Sequence, residues 1–406
     1  APGGKVFEPL WRTEFHMRKK IVILTYSLGG AGAERMVANL VNQLDRDKYD
    51  IHLVLMNTEI EYDILPDQKI HYIEKSYRYE NEFWKLIKLP FLAWKFKRYC
   101  NQQQIDLVLA VMNRPNLIAG MAKSLGINAK VLISERFYTP YYYNSNTLAG
   151  KIKLWLLKTF YPKADSILPN SQGTVEALQD YKIQSEYAVV KNPTDIQRIG
   201  DLSKLPLPRP MDFAPFTFIN VATFREEKNH DLLVDAVEGI RDLPFRLLLI
   251  GKGNLLEPIK QKVRSLQLQD KIIFLDFTEN PYQYMSRAQC FILSSLGEGF
   301  PNVLIESMVC GLPIISVDCK TGPRELLAPG TKLDTDIAAD HFEVAEYGIL
   351  TRYNSKTSLQ AAMRWALQHP GNLHAYQEKG RMKSGDYEIT KVCAEFSVIF
   401  DSFLKK

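Results

Sequence analysis

The strongest constraint on this chain is a rhythm. A short run rich in Val, Ile and Leu gives way to a turn and then to a helical pattern, and the cycle repeats. "KIVILTYS" (20–27), "DIHLVLMN" (50–57), "IDLVLAVM" (105–112), "AKVLISER" (129–136) and "ADSILPNS" (164–171) carry it through the first half. "FTFINVAT" (216–223), "FRLLLIGKG" (245–253), "KIIFLDF" (271–277), "CFILSS" (290–295) and "PIISVD" (313–318) resume it in the second. Helical patterns fall between the later runs at 230–240, 256–266 and 302–311. Apolar strands alternating with helices predict parallel sheets covered on both faces. The rhythm breaks at 192–215, where four prolines between 206 and 215 predict a linker. The expected architecture is therefore α/β: two Rossmann-like domains, 17–195 and 216–385, joined by a linker at 196–215. Ligands bind such sheets beyond the carboxyl ends of their strands, so the cleft between the two domains is the expected site.

Composition narrows the setting. Hydrophobic residues make up 46% and charged residues 24% of the 406 positions, the balance of an ordinary globular protein. No apolar run approaches the roughly 18 residues of a membrane-spanning helix. Residues 1–16 lack the pattern of a signal peptide; we expect them to be an expression-tag remnant ahead of a natural start at Met17. The five cysteines form no CxxC pair and read as reduced thiols, and the seven histidines show no HExxH spacing. No metal site is expected.

The net charge of +5 is mild, but its placement is uneven. Residues 81–100 carry Lys85, Lys88, Lys95, Lys97 and Arg98 among Phe83, Trp84, Phe91, Trp94, Phe96 and Tyr99. Residues 141–163 repeat the theme with Lys151, Lys153, Lys158 and Lys163. Basic helices with interleaved aromatics suit an anionic membrane surface. The alternative is two ordinary helices with aromatics in the core and lysines in water. Nucleic acid is not expected, because acids elsewhere nearly cancel the bases and no binding-module signature appears.

Three stretches can carry chemistry. "SLGGAGAERM" (27–36) follows the first strand and opens a helix, so Gly30 and Gly32 let the backbone approach an anion at the helix start. It begins a dinucleotide GxGxxG, yet Arg35 stands where the third glycine belongs. In "NVATFREEKNHDLL" (220–233), Arg225 and Lys228 follow a strand and suit a diphosphate; the alternative is a solvated charged loop. In "GEGFPNVLIES" (297–307), Gly299, Phe300 and Pro301 lead into a helix, with Pro301 in its first turn. The amides of Asn302 and Val303 then face an anion. Glu306, a turn further on, can hold ribose hydroxyls, and Glu298 can face a sugar from the loop.

Taken in order, these pieces resemble the GT-B glycosyltransferases of the large retaining family four. The resemblance runs from about Lys20 to the C-terminus and also includes "PNSQGT" (169–174) and "FLDFTENPYQYMSRA" (274–288). Its most specific element is the acid pair of "EGFPNVLIE", Glu298 and Glu306. The resemblance implies a nucleotide-sugar donor, held by the C-terminal domain without a metal or cofactor. Arg225 and Lys228 neutralise its diphosphate, Glu306 holds ribose, Glu298 contacts the sugar, and backbone near Gly253 and Phe277 holds the base. The N-terminal domain binds the acceptor, and the last helix (386–406) crosses back onto that domain. Relatives often carry a His at the stretch "LISERFYTP" (132–140), where this chain has Glu135 and Arg136. These two, with Asn113 and Arg114, are candidates for contact with the acceptor or donor sugar; for Glu135 and Arg136 a structural ion pair is the alternative. "DCKTGPRELL" (318–327) is similar to relatives that use UDP-N-acetylhexosamine or UDP-galactose, although a tight turn capping a helix explains its Gly322 and Pro323 equally. The expectation is a retaining hexosyl or N-acetylhexosaminyl transfer from a UDP-sugar to a glycan, lipid-linked and at the cytoplasmic face of a membrane. A nicotinamide-dependent oxidoreductase and a sugar-nucleotide epimerase are the rivals.

Overall fold

The computed structural model describes residues 18–30, 32–75, 82–137, 140, 143 and 147–405. The expected tag and Met17 lie outside these residues, as does part of the 141–163 segment. The N-terminal domain is built on a parallel sheet of β1 (Lys19–Thr25), β2 (Tyr49–Leu55), β3 (Lys69–Tyr72), β4 (Leu107–Val111), β5 (Lys130–Ser134) and β6 (Ser166–Ile167). Their spatial order is β3-β2-β1-β4-β5-β6. Ile21 to Leu24 are fully buried. Their side chains alternate between two clusters, Val22 and Leu24 on one face, Ile21 and Ile23 on the other. Each such side chain contributes about 1.5–3 kcal/mol by leaving water. That two-sided burial is why these strands read as continuous apolar runs.

The C-terminal domain repeats the plan with β7 (Thr217–Val221), β8 (Arg246–Ile250), β9 (Ile272–Leu275), β10 (Cys290–Leu293), β11 (Ile314–Val317), β12 (Phe342–Val344) and β13 (Ile349–Thr351). The order is β12-β13-β11-β10-β7-β8-β9, parallel except where β12 meets β13. In both sheets the order of the parallel strands reverses at one place, between β1 and β4 and between β7 and β10. The loops leaving those strands diverge and open a crevice.

The final helix, Ile389–Leu404, buries Val392, Phe396 and Phe400 in the N-terminal core with Ile21, Leu53 and Leu107. The expected return crossing is present. The expected linker is only half a linker. Ile196–Lys204 is a helix, capped where the Asp195 carboxylate accepts from the Arg198 amide, and Ile199 packs into the C-terminal core. The prolines begin only at Pro206, and the helix stops just before them. All five cysteines are buried and unpaired.

Candidate active site

At the reversal point of the second sheet, the chain leaves β7 through residues 222–228 and β10 through residues 294–301. Hydrogen bonds lock these loops together. The Leu296 amide donates to the Glu227 carbonyl and the Ser294 hydroxyl to the Lys228 carbonyl, both at 2.8 Å. Lys228 Nζ donates to Glu298 Oε1 at 2.6 Å, and the Ser295 hydroxyl reaches the same oxygen at 2.6 Å. The Thr321 hydroxyl donates to the Glu298 carbonyl. Arg225 is more open, its Nη1 3.9 Å from Glu227 Oε1. A tethered ammonium and a more exposed guanidinium thus share the head of the sheet, an arrangement that suits a polyanion.

The "EGFP" loop must lie flat against its neighbours. A Cβ on Gly299 would stand 2.1 Å from the Arg136 carbonyl oxygen, so only glycine lets the two domains touch there. A Cβ on Gly322, whose φ is +90°, would meet the Pro301 ring at 2.5 Å. The turn at 321–323 therefore braces the loop, and Arg324 behind it is bound to Asp318 and Glu343. The helix Asn302–Val309 starts where the 302–311 pattern begins, but Pro301, expected in its first turn, precedes it. Pro301, at φ −77° and ψ 96°, is still extended and stands just outside it. Leu304 is the first amide there bonded back, to the Pro301 carbonyl. Helix starts leave their first amides without intrahelical partners, so those of Asn302 and Val303 suit an anion. Phe300 turns its ring into the core against Tyr387, at a centroid distance of 5.5 Å. Glu306 is only 8% exposed and accepts from Arg35 Nη1 at 2.5 Å.

Gly253 and Phe277 follow the neighbouring strands β8 and β9. The half-exposed Phe277 ring lies beneath Lys252 Nζ, 4.1 Å from its centroid.

From the N-terminal side, Gly30 turns against the Glu61 side chain. The Gly32 carbonyl accepts from Asn302 Nδ2 at 3.3 Å. Asn302 Oδ1 accepts from Asn192 Nδ2 at 2.6 Å, and Asn192 Oδ1 accepts from Arg136 Nη1 at 2.8 Å. A continuous hydrogen-bonded chain so crosses the cleft.

Arg136 is buried, with further bonds to Ser134 Oγ at 2.7 Å and the Val190 carbonyl at 2.9 Å. Burial lowers its pKa to about 9. Glu135 is fully buried: Oε1 accepts the amides of Arg136 and Phe137, and Oε2 accepts the Tyr161 hydroxyl at 2.7 Å. Burial raises its pKa to about 7 against those donors. Among the described residues, no ion pair joins the Glu135 and Arg136 side chains; each makes its hydrogen bonds elsewhere, and Arg136 Nη2 is left buried without a partner. Both are buried at the domain contact rather than open to the cleft.

Asn113 and Arg114 follow β4. Arg114 forks onto Glu74 at 2.7 and 3.3 Å and donates to the Lys85 carbonyl, so it fastens the basic helix to the sheet. Asn113 Oδ1 is buried without a partner. Both residues line a cavity of about 170 Å³ with Tyr26, Phe137, Tyr143 and Lys153. Met112 at its wall has φ 79° and ψ 160°, a conformation that costs a residue with a side chain about 1–3 kcal/mol. Such strain concentrates at functional sites.

Sequence reasoning did not single out Tyr282, Ser295, Asn192 or Thr321, and it saw Arg35 only as a broken motif. The break was the available signal: Arg35 stands where that motif has its third glycine, and its side chain reaches Glu306 across the cleft.

Two parallel-sheet domains facing one another, with a cationic loop and a helix start at the reversal point, define the GT-B glycosyltransferase class. Residues 30–198 match the family described as Glycosyltransferase Family 4, and residues 212–383 match Glycosyl transferases group 1. Over 379 residues the chain is 33% identical to the N-acetylgalactosamine-N,N'-diacetylbacillosaminyl-diphospho-undecaprenol 4-alpha-N-acetylgalactosaminyltransferase of Campylobacter jejuni, spanning 93% of this chain and 98% of the relative. The chain belongs to this family of glycosyltransferases. Its fold is shared with sucrose-phosphate synthase from Thermosynechococcus elongatus, with a TM-score of 0.76 at 16% identity over 96% of this chain and 100% of that one. It is shared too with Anabaena HepE solved with UDP, with a TM-score of 0.70 at 17% identity over 94% and 100%. Family membership displaces the oxidoreductase reading.

Proposed function

We propose that the protein is a retaining, metal-independent transferase that moves a hexose or N-acetylhexosamine from a UDP-linked donor to a lipid-linked glycan. The observation that carries this is the Lys228–Glu298 pair beside Arg225 and the Asn302 helix start. A lysine ammonium has three donors, so Lys228 can hold Glu298 and a phosphate together. The donor diphosphate seats among Lys228, Arg225 and the amides of Asn302 and Val303, with ribose on Glu306. The bond from the sugar C1 to the β-phosphate oxygen breaks, and the acceptor oxygen bonds to C1 on the same face. The acceptor proton passes to the departing phosphate. The protein's part is positioning and charge stabilisation. Lys228 and Ser295 both occupy one Glu298 oxygen, which blunts it as a nucleophile and favours this route over a covalent intermediate.

The Campylobacter relative is named for an undecaprenyl-diphosphate glycan acceptor, which supports a lipid-linked acceptor here. The cavity beside Asn113 supports it as well. Its walls include Lys85 and Lys153, which come from the two basic helices. Phe83, Trp84, Phe91 and Trp94 on one side, and Leu148 and Trp155 on the other, are all at least half exposed. Exposed aromatics among lysines, on the helices that wall the cavity, suit an anionic membrane surface. Among the described residues, no helix is long and apolar enough to cross a membrane. The association proposed is therefore peripheral.

Donor hydrolysis across UDP-, GDP- and ADP-sugars tests the reading, because slow hydrolysis needs no acceptor. UDP-sugar turnover that persists in EDTA and releases a sugar of retained configuration is expected. Inverted product would sink retention, and no turnover of any nucleotide sugar would sink the whole proposal.

A further inference from the structure

Arg35 breaks the dinucleotide glycine pattern, and the fold gives it another task. It lies in the first turn of the helix Gly32–Gln43 and extends out of the N-terminal domain. Its Nη1 donates to Glu306 Oε1 at 2.5 Å and to the Tyr282 hydroxyl at 3.0 Å. The guanidinium carbon lies 5.8 Å from the Tyr62 ring centroid, so one face is also packed. The two domains thus meet, through one side chain, at the carboxylate assigned above to ribose.

Neighbouring contacts act in the same sense. Asn302 bonds the Gly32 carbonyl and Asn192. The Glu325 carboxylate of the C-terminal domain accepts from the amides of Gln172 and Gly173, at 2.7 and 3.0 Å, at the start of a helix of the other domain. Among these contacts, Arg35 alone touches a residue assigned to the donor by side-chain chemistry.

Charge explains why that matters. A shielded carboxylate next to an arriving diphosphate repels it unless its own charge is balanced. Arg35 supplies the balance only when the domains are together. It need not leave when ribose arrives, because a carboxylate has about four acceptor positions and Arg35 uses one nitrogen on one oxygen. A ribose diol can take the remaining positions.

We propose that Arg35 is a positioning residue for the donor: it aims and neutralises Glu306 from across the cleft and so links nucleotide binding to domain closure. This rests on the nucleotide-sugar reading. The test is calorimetric titration of the full chain with UDP, GDP and ADP, alongside Arg35→Met, Arg35→Lys, Glu306→Gln and the Arg35→Met/Glu306→Gln double variant. Arg35→Met is expected to bind the preferred nucleotide about tenfold more weakly, and Arg35→Lys to recover part of the loss. In the Glu306→Gln background, Arg35→Met should cost no further affinity, because the arginine acts through that carboxylate. Small-angle scattering should show nucleotide-induced compaction in the wild type and less of it in Arg35→Met. Wild-type affinity in Arg35→Met, or fully additive losses in the double variant, overturns the role. If none of the three nucleotides binds the wild type, the nucleotide-sugar reading itself falls and takes this inference with it.

Discussion

Lys228 Nζ lies 2.6 Å from Glu298 Oε1, and this ion pair joins the loop after β7 to the loop after β10. The two residues are 70 positions apart in the chain, and the side chain of Glu298 is only 10% exposed. On the proposed reading, each fixes the other where the donor diphosphate and its sugar lie side by side. Removing the ammonium takes away the tether of the acid and, on that reading, a phosphate contact. Lys228→Ala is therefore expected to lower kcat/KM by about 100-fold or more, the scale of losing one preorganised stabilising group. Glu298→Gln keeps the shape but loses the charge. It should lower kcat by about 100-fold and leave the donor KM within a few-fold, in steady-state assays of donor turnover.

Glu306 sits one helical turn beyond the amides proposed to hold phosphate, and no reacting atom is assigned to it. Its loss removes binding that is the same in the ground state and the transition state. Glu306→Ala should raise the donor KM about tenfold or more while kcat changes little. A fall in kcat at unchanged KM would reverse the assignments of the two acids.

Much of this was legible in the sequence, and the gaps have physical causes. β1, β4 and β8 are buried on both faces and announce themselves as apolar runs. β3 was not recognised, because "KIHY" is a half-exposed edge strand of mixed polarity. The short strands β12 and β13 lie at the far edge of the second sheet and were missed too. Ile196–Lys204 was hidden by the prolines that follow it, although Asp195 is a plain helix-capping residue. In the site, Glu298, Glu306, Arg225 and Lys228 stand in recognisable spacing. The partner of Glu306 does not, since Arg35 lies 271 positions away and only the closure of two domains brings them together. Glu135 and Arg136 looked like a possible pair because they are adjacent, but successive residues at a strand end point different ways.

The aromatic face makes the membrane proposal testable without disturbing the cleft. Lys95 Nζ donates to the Ile73 carbonyl and Lys97 Nζ to the Leu125 carbonyl, so some of the lysines are partly structural. The exposed rings are the cleaner target. Replacing Trp84, Phe91 and Trp94 by Ala should cut co-sedimentation with anionic vesicles severalfold and leave donor hydrolysis in solution unchanged. Equal sedimentation of wild type and variant would remove the membrane from the account.

His230 stacks on Phe224 at 4.1 Å, and both its ring nitrogens are buried without a hydrogen-bond partner. Burial lowers its pKa to about 4, so it is neutral in the fold, whereas in the unfolded chain it titrates near 6.5. Its contribution to stability is full above about pH 6.5 and is lost as the pH falls towards 4. His230→Phe removes both the unpaired nitrogens and that acid sensitivity. The variant should be more stable by about 1–2 kcal/mol near pH 5, with a smaller gain at pH 8, in chemical denaturation.

Glu135 has the opposite sign. Burial raises its carboxyl to about 7 from an ordinary 4.5, so the folded state holds a proton that the unfolded state has released. The stability it contributes is full below about pH 4.5 and is lost as the pH rises through 7, a difference of up to about 3 kcal/mol. Gln fits the same place. Its carbonyl oxygen can accept the amides of Arg136 and Phe137 as Oε1 does, and its amide can donate to the Tyr161 hydroxyl. Glu135→Gln is therefore expected to flatten the fall in stability between pH 5 and 8 and to melt higher than the wild type at pH 8. The β5 end holds the Gly299 loop through the Arg136 carbonyl, so the same variant should also hold its donor affinity more evenly across that range. Melting curves of wild type and variant at pH 5, 6.5 and 8 decide it: parallel slopes would mean that Glu135 is ionised throughout and that its three donors outweigh burial.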